Sequence, residues 1–168
     1  MYEPIHSGFS AIFASSAPRS LHCAKAFSHI LCENNAMKRI LLVKTSSLGD
    51  VIHNLPVVND ILQYAPQAHN DWQIDWIVEE PFADIPRLHT GVNNVITVAF
   101  RRWRKQLFNQ KTWQEIAAFK KLMQRNQYDA IIDTQGLLKS ALAMRYAHGE
   151  KHGYAHRFYR VDTAGKLY

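Results

Sequence analysis

Two short polar segments hold the residues best suited to chemistry. Lys44-Thr45-Ser46-Ser47-Leu48-Gly49-Asp50 and Thr134-Gln135-Gly136-Leu137-Leu138-Lys139 each combine a hydroxyl, a glycine and a lysine. Such residues turn tightly, hydrogen-bond and carry charge. Asp50 stands where apolar Val51, Leu55, Val58, Ile61 and Leu62 begin to recur at helical spacing. A carboxylate at a helix start most commonly caps its unpaired amides. Held at a strand-end cleft, the same group accepts a proton from a substrate hydroxyl. Both uses stand open on the residues alone. The segment lacks G-x-x-x-x-G-K-[ST] and G-x-G-x-x-G, so neither a P-loop nor a dinucleotide fingerprint is present in it. A phosphate at this helix start would meet Asp50, which makes the loop a poor phosphate cradle.

The densest charge cluster is Arg101-Arg102-Trp103-Arg104-Lys105, cations around one indole and undiluted by acids in sequence. Guanidinium forks suit phosphates and carboxylates, and Trp offers a flat anchor at an interface. Most such runs are solvated faces. This one follows an expected strand, near the edge where ligands bind. Glu79-Glu80 before Pro81 reads as a solvated carboxylate pair, and His148 and His152 lack a third metal ligand.

These residues need a scaffold that brings them together. Ile40-Leu41-Leu42-Val43 is a short continuous apolar run, the pattern of a strand buried on both faces. Ile74–Val78, Val95–Val98 and Tyr128–Asp133 read as three further strands. Pro56 places the start of a regular helix near Leu55, after a distorted turn. Trp113, Ile116, Phe119, Leu122 and Met123 mark one face of a second helix, and Leu138, Ala141, Leu142 and Arg145 lie on a third. Strands alternating with helices predict βαβ units, an α/β fold with a parallel sheet and right-handed crossovers. Ligands then bind beyond the carboxyl ends of the strands, which is where both polar segments fall.

Composition bounds the rest. With 47% hydrophobic and 20% charged residues in 168, the chain has the balance of a globular domain. Its net charge of +6 favours an anionic partner. The two cysteines, Cys23 and Cys32, exclude a disulfide-dense fold, and no apolar run approaches a bilayer span. Residues 1–36 carry Glu3, Arg19, Lys25 and Glu33 as their only Asp, Glu, Lys or Arg residues, and no periodicity. They read as a disordered or non-native extension, with Met37 starting the folded part.

The segment Lys44 to Val51, followed by His53-Asn54-Leu55-Pro56, resembles the opening motif of the bacterial lipopolysaccharide heptosyltransferases, inverting enzymes of glycosyltransferase family 9. Trp76-Ile77-Val78-Glu79-Glu80, the Arg101–Lys105 cluster and Asp129 to Ser140 support it in order, and Ala147-His148-Gly149 and Lys151-His152-Gly153 continue it. The resemblance runs from Met37 to Tyr154. It implies the N-terminal domain of a GT-B glycosyltransferase, with residues 37–154 as a Rossmann-like acceptor-binding domain. It also implies transfer of L-glycero-D-manno-heptose from ADP-heptose to the Kdo of lipid A, at the inner face of the bacterial inner membrane.

On that resemblance Asp50 is the general base. Ser46, Ser47, Gly49, Arg101, Arg102, Arg104, Lys105, Gln135, Gly136, Lys139 and Ser140 lie on the acceptor side, with the basic cluster facing Kdo carboxylates and lipid A phosphates. The implied partners are Kdo-lipid A, the ADP-heptose donor and an anionic membrane surface. No catalytic metal, no cofactor beyond the donor and no nucleic acid are implied. Residues 155–168 depart from the family pattern. A second Rossmann-like domain does not fit in 168 residues, so the expectation is a truncated chain whose C-terminal donor domain is missing. The rival reading is a non-catalytic Rossmann-like module that binds anionic lipid or nucleic acid through its basic edge.

Overall fold

The computed structural model describes residues 38–64 and 72–153. The expected N-terminal extension and the divergent tail lie outside these residues. Five strands, β1 (Arg39–Val43), β2 (Gln73–Glu79), β3 (Asn94–Val98), β4 (Gln127–Asp133) and β5 (His148–His152), form one sheet in the order β3-β2-β1-β4-β5. Every pairing is parallel. The helices are α1 (Leu48–Ile52), α2 (Leu55–Tyr64), α3 (Asp84–Arg87), α4 (Phe100–Lys105), α5 (Gln110–Arg125) and α6 (Leu138–Met144). A 3-10 turn, Glu80–Phe82, follows β2.

The apolar runs explain the layering. Ile40, Leu41, Leu42 and Val43 are at most 1% exposed, as a central strand covered on both faces requires. Successive side chains point to opposite faces. Leu41, Val43, Ile77 and Ile131 share one core with Phe119 and Met123 of α5 and Ala143 and Met144 of α6. Val51, Val58 and Ile61 are buried with the alternate set, Ile74, Trp76 and Val78. The chain leaves β1 toward β2 and β3, then returns past β1 to β4. With right-handed crossovers this reversal puts helices on both faces. It also opens a crevice between the ends of β1 and β4.

The four strands read from sequence are present within one residue of their expected ends, and α2 begins at Leu55 with Pro56 in its first turn. Three features differ. β5 escapes the hydrophobic pattern because His-Gly-Glu-Lys-His is polar, as an edge strand permits. Gly149 sits there at φ 151°, and an added Cβ would collide with the Tyr128 carbonyl. On α5, Thr112, Phe119 and Met123 are buried whereas Trp113 and Leu122 are exposed. On α6, Ser140, Ala141, Ala143 and Met144 face inward, while Leu138, Leu142 and the adjoining Arg145 are exposed.

A second polar centre lies at the opposite, amino end of the sheet. Asp75 is fully buried and accepts from Arg39 Nη2 at 2.8 Å, Asn94 Nδ2 at 2.7 Å and the Tyr128 hydroxyl at 3.1 Å. Burial and the neighbouring Asp75 charge push the Tyr128 phenol well above its ordinary range. These bonds satisfy a buried carboxylate and tie β1, β2, β3 and β4 together.

Candidate active site

The crevice is built by the chain leaving β1 and the chain leaving β4. Lys44 and Thr45 continue the ladder: Lys44 N–H donates to Ile77 O at 3.2 Å, and Glu79 N–H donates to Thr45 O at 3.1 Å. Trp76 Nε1–H, from the core, reaches Lys44 O at 3.1 Å. The loop is thus held from the β2 side by backbone and indole.

From the β4 side it is held by Gln135. Its Oε1 accepts from Thr45 N–H at 2.8 Å and Thr45 Oγ1–H at 2.6 Å, and its Nε2–H₂ donates to Ser46 O at 2.9 Å. Both ends of one amide therefore brace the loop after β1. Asp133, the last residue of β4, shapes the opposing turn. Its Oδ1 accepts from the amides of Gln135 at 2.7 Å and Gly136 at 3.1 Å, and Ser140 Oγ lies 2.7 Å from its Oδ2. Gly136 turns at φ 64°, a left-handed conformation that other residues adopt at a cost. Ser140 and Gly136 are buried beneath the surface of the turn.

Ser47 is the N-cap of α1, and Asp50 is the third residue of that helix. Asp50 Oδ2 accepts from Ser47 N–H at 2.9 Å and from Ser47 Oγ–H at 3.0 Å. The carboxylate therefore belongs to a capping arrangement and is still exposed to solvent at the crevice. The Ser46–Ser47 peptide is cis.

Lys139 crosses the crevice from the first turn of α6 to donate to Ser46 Oγ. Partial burial holds its ammonium below the usual lysine range. Glu79 and Asp50 oppose that shift, while Arg101 and Lys44 reinforce it. Asp50, Lys44, Glu79 and Arg101 thus act on Lys139 from separate segments. The arrangement offers a solvent-facing carboxylate, a partly buried ammonium, and hydroxyls between them. That suits deprotonating a substrate hydroxyl beside bound anionic groups.

Glu79 corrects the sequence reading. It is 1% exposed and not solvated. Its Oε1 accepts the Arg101 amide at 2.9 Å in the first turn of α4, while its Oε2 is buried without a hydrogen-bond partner among the described residues. A carboxylate at a helix start is favoured by the unpaired amides there. Glu79 therefore fixes the helix that carries the basic cluster.

The cluster itself is divided. Trp103 is a core residue, 7% exposed, packed edge-on against Phe100 and donating from Nε1 to Glu115 at 2.8 Å. It is not the surface anchor its neighbours suggested. Nor is the cluster free of acids in space, since Arg102 pairs with Glu80 at 2.7 Å and Glu115 at 2.8 Å. The bond to Arg102 keeps the Glu115 carboxyl below its ordinary range. Arg101, Arg104 and Lys105 are exposed, and by helical spacing they share one side of α4.

The structure thus gathers Ser46, Ser47, Asp50, Gln135 and Lys139 at one crevice, with Arg101 beside it through Glu79. Gly49 is also exposed in the first turn of α1. Arg104 and Lys105 lie farther along α4. A groove of about 610 Å³ along β3 and α5, lined in part by Asn94, Thr97, Arg102 and Glu115, shares no residue with the Asp50 crevice. Among the described residues no group of His, Cys, Asp and Glu suited to a metal is present. Glu79 is the site neighbour whose role the sequence pattern hides, since it reads there as solvated. The available signal was its place as the last residue of a buried strand, two residues before Pro81.

Comparison with known proteins agrees with this architecture. The profile of glycosyltransferase family 9 (heptosyltransferase) matches residues 116–163, so the family pattern continues past Tyr154 into the stretch expected to diverge. Lipopolysaccharide heptosyltransferase 1 of Salmonella typhimurium is 53% identical over 116 residues, covering 68% of this chain and 35% of that protein. Its Escherichia coli K12 counterpart is 48% identical over 131 residues, covering 77% and 40%. The solved structure of E. coli heptosyltransferase WaaC with ADP-2-deoxy-2-fluoro heptose superposes with a TM-score of 0.70 at 47% identity, over 77% of this chain and 40% of that one. The chain spans about two fifths or less of the length of these relatives. With the motifs in order and the same fold beneath them, the chain belongs to glycosyltransferase family 9, the heptosyltransferases.

Proposed function

We propose that the Asp50 crevice is the acceptor side of an inverting heptosyltransferase that moves L-glycero-D-manno-heptose from ADP-heptose to the Kdo of lipid A. In this reading residues 37–154 form the acceptor-binding domain of a GT-B enzyme. The acceptor hydroxyl attacks the anomeric carbon of the donor, a carbon–oxygen bond forms, and the bond to ADP breaks with inversion. The hydroxyl proton passes to Asp50. ADP-heptose is a substrate, and no separate cofactor takes part.

One observation carries the proposal: an exposed carboxylate, anchored by Ser47 through Oδ2, faces the switch-point crevice beside Lys139. Lys139, Arg101 and the hydroxyls of Ser46 and Ser47 would hold Kdo carboxylates. Arg104 and Lys105, farther along α4, would meet lipid A phosphates. Gln135, Gly136 and Ser140 would act from behind, by setting the positions of the loops. Arg102 would contribute by fixing α4 through Glu80 and Glu115. Support for the donor comes from the ADP-2-deoxy-2-fluoro heptose complex of a similar protein. Among the described residues no helix is long and apolar enough to cross a membrane, and the proposed association with the inner face of the inner membrane is peripheral.

The test is heptosyl transfer from ADP-heptose to Kdo-lipid A by this chain and by Asp50→Asn. Asparagine keeps an acceptor oxygen for the Ser47 amide while removing the base. Transfer falling by about 10²–10⁴ with acceptor binding retained is the expected result. Measurable and equal transfer by both forms would remove Asp50 from the chemistry, whereas no transfer by either with Kdo-lipid A still bound would leave an acceptor-binding half.

A further inference from the structure

The turn between α4 and α5 presents an apolar tip that the fold does not use. Phe108 is fully exposed, at 105%, and Leu107 and Trp113 are 49% and 57% exposed. The tip is nevertheless tied down. Trp113 Nε1–H donates to Leu107 O at 2.7 Å, the Asn109 amide donates to Gln106 O at 3.0 Å, and the Asn109 side chain caps α5. Holding large apolar groups in water on an ordered turn gives the folded chain no packing benefit. Such a feature marks a contact surface.

Charge identifies the partner. From Phe100 to Gln114 the sequence holds Arg101, Arg102, Arg104, Lys105 and Lys111 and no acid. Arg102 is neutralised by Glu80 and Glu115, while Arg104, Lys105 and Lys111 are exposed on either side of the tip. Apolar side chains at an apex with cations flanking them match the boundary between acyl chains and anionic headgroups. Indole is well suited to that boundary, being apolar with one polar edge.

We propose that Leu107, Phe108 and Trp113 form a wedge that seats in the interfacial layer of an anionic bilayer, with Arg104, Lys105 and Lys111 on the lipid phosphates. The proposal rests on the functional reading above insofar as the acceptor is a lipid, and it names the part of the chain that meets the membrane. Because α4 is bonded in its first turn to Glu79 at the end of β2 and ends beside this wedge, seating it would hold the Asp50 crevice close to the lipid surface.

The experiment uses vesicles of phosphatidylcholine with and without phosphatidylglycerol, free of any glycolipid, so its result does not depend on acceptor chemistry. Trp72, Trp76 and Trp103 are buried, so brominated-lipid quenching of the wild-type chain reads Trp113 without mutagenesis. Quenching on the anionic vesicles is expected. Leu107→Ser with Phe108→Ser should weaken partitioning about tenfold or more, and Arg104→Gln with Lys105→Gln should weaken it by a similar factor, most strongly at low salt. Binding that survives the serine substitutions, an unquenched Trp113, equal binding to uncharged vesicles, or competition by duplex DNA as effective as by anionic lipid would overturn the proposal. So would a wedge variant whose only effect is to convert a self-associated chain to monomer in sedimentation. If vesicles bind and Kdo-lipid A adds nothing, the wedge stands and the acceptor reading fails.

Discussion

Lys139, on α6, donates to the hydroxyl of Ser46 in the loop after β1, closing the switch-point crevice with a bond between residues 93 apart in sequence. Its ammonium is half-buried and lies below the usual lysine range because burial penalises its charge. An anionic acceptor bound through this cation should therefore be lost as pH rises through a lower value than an exposed lysine would give. Lys139→Met should weaken Kdo-lipid A binding by about tenfold or more at neutral pH and abolish that alkaline fall. Isothermal titration across pH checks both.

Glu79 supplies the largest opposing charge on Lys139 and also accepts the Arg101 amide. Glu79→Gln keeps an acceptor for that amide and removes the charge. Stability should change little, since a neutral group replaces a buried carboxylate. The Lys139 ammonium should titrate at still lower pH, read by NMR of its ε-carbon, and the alkaline loss of acceptor binding should move with it. Glu79→Ala, which strands the amide, should cost about 1–3 kcal/mol in a denaturant melt. An unmoved Lys139 titration in the glutamine variant would show that the two do not interact.

Asp133 organises the other wall through the amides of Gln135 and Gly136 and the Ser140 hydroxyl. Asp133→Ala should destabilise the chain by about 2–4 kcal/mol, because these are bonds to a buried charged acceptor. Gly136→Ala should cost about 1–2 kcal/mol from its left-handed backbone. Both are checked by chemical denaturation. Both should also release Gln135 from Thr45, seen as a change in the Gln135 side-chain amide resonances.

Gly49 separates binding from folding. A Cβ added there meets nothing within 4 Å, and alanine is the better helix former by up to about 1 kcal/mol. Gly49→Ala should therefore fold as well as or better than the wild-type chain. If the acceptor approaches this backbone closely, the added methyl should weaken Kdo-lipid A binding several-fold. A variant that is stabilised and binds normally would place the acceptor elsewhere along the crevice.

Much of this architecture was legible because buried parallel strands announce themselves. Ile40–Val43 and Tyr128–Asp133 are short apolar runs bounded by polar turns, and the loops after them had to meet at a crevice once the strand order reversed. The position of Asp50 followed, although its place as third residue of α1, bonded back to Ser47, depended on where the helix starts. Partners distant in sequence were harder to read. Nothing local indicates that Glu115 will neutralise Arg102 and hold Trp103 inside, or that Gln135 will use both ends of its amide on Thr45 and Ser46. Glu79 looks like half of a solvated pair until α4 docks on the end of β2 and buries it. β5 was missed because its residues match no apolar period.

The measurement that bears most directly on the account is binding of Kdo-lipid A to this chain, compared with Arg101→Ala, Lys139→Ala and their double variant, at fixed pH and salt. Saturable binding that each substitution weakens is expected, with the double variant departing from additivity because both side chains face one bound anion and Arg101 acts on Lys139. Binding that is indifferent to all three variants, or matched by glycolipid lacking Kdo, would contradict the assignment of this crevice as the acceptor site.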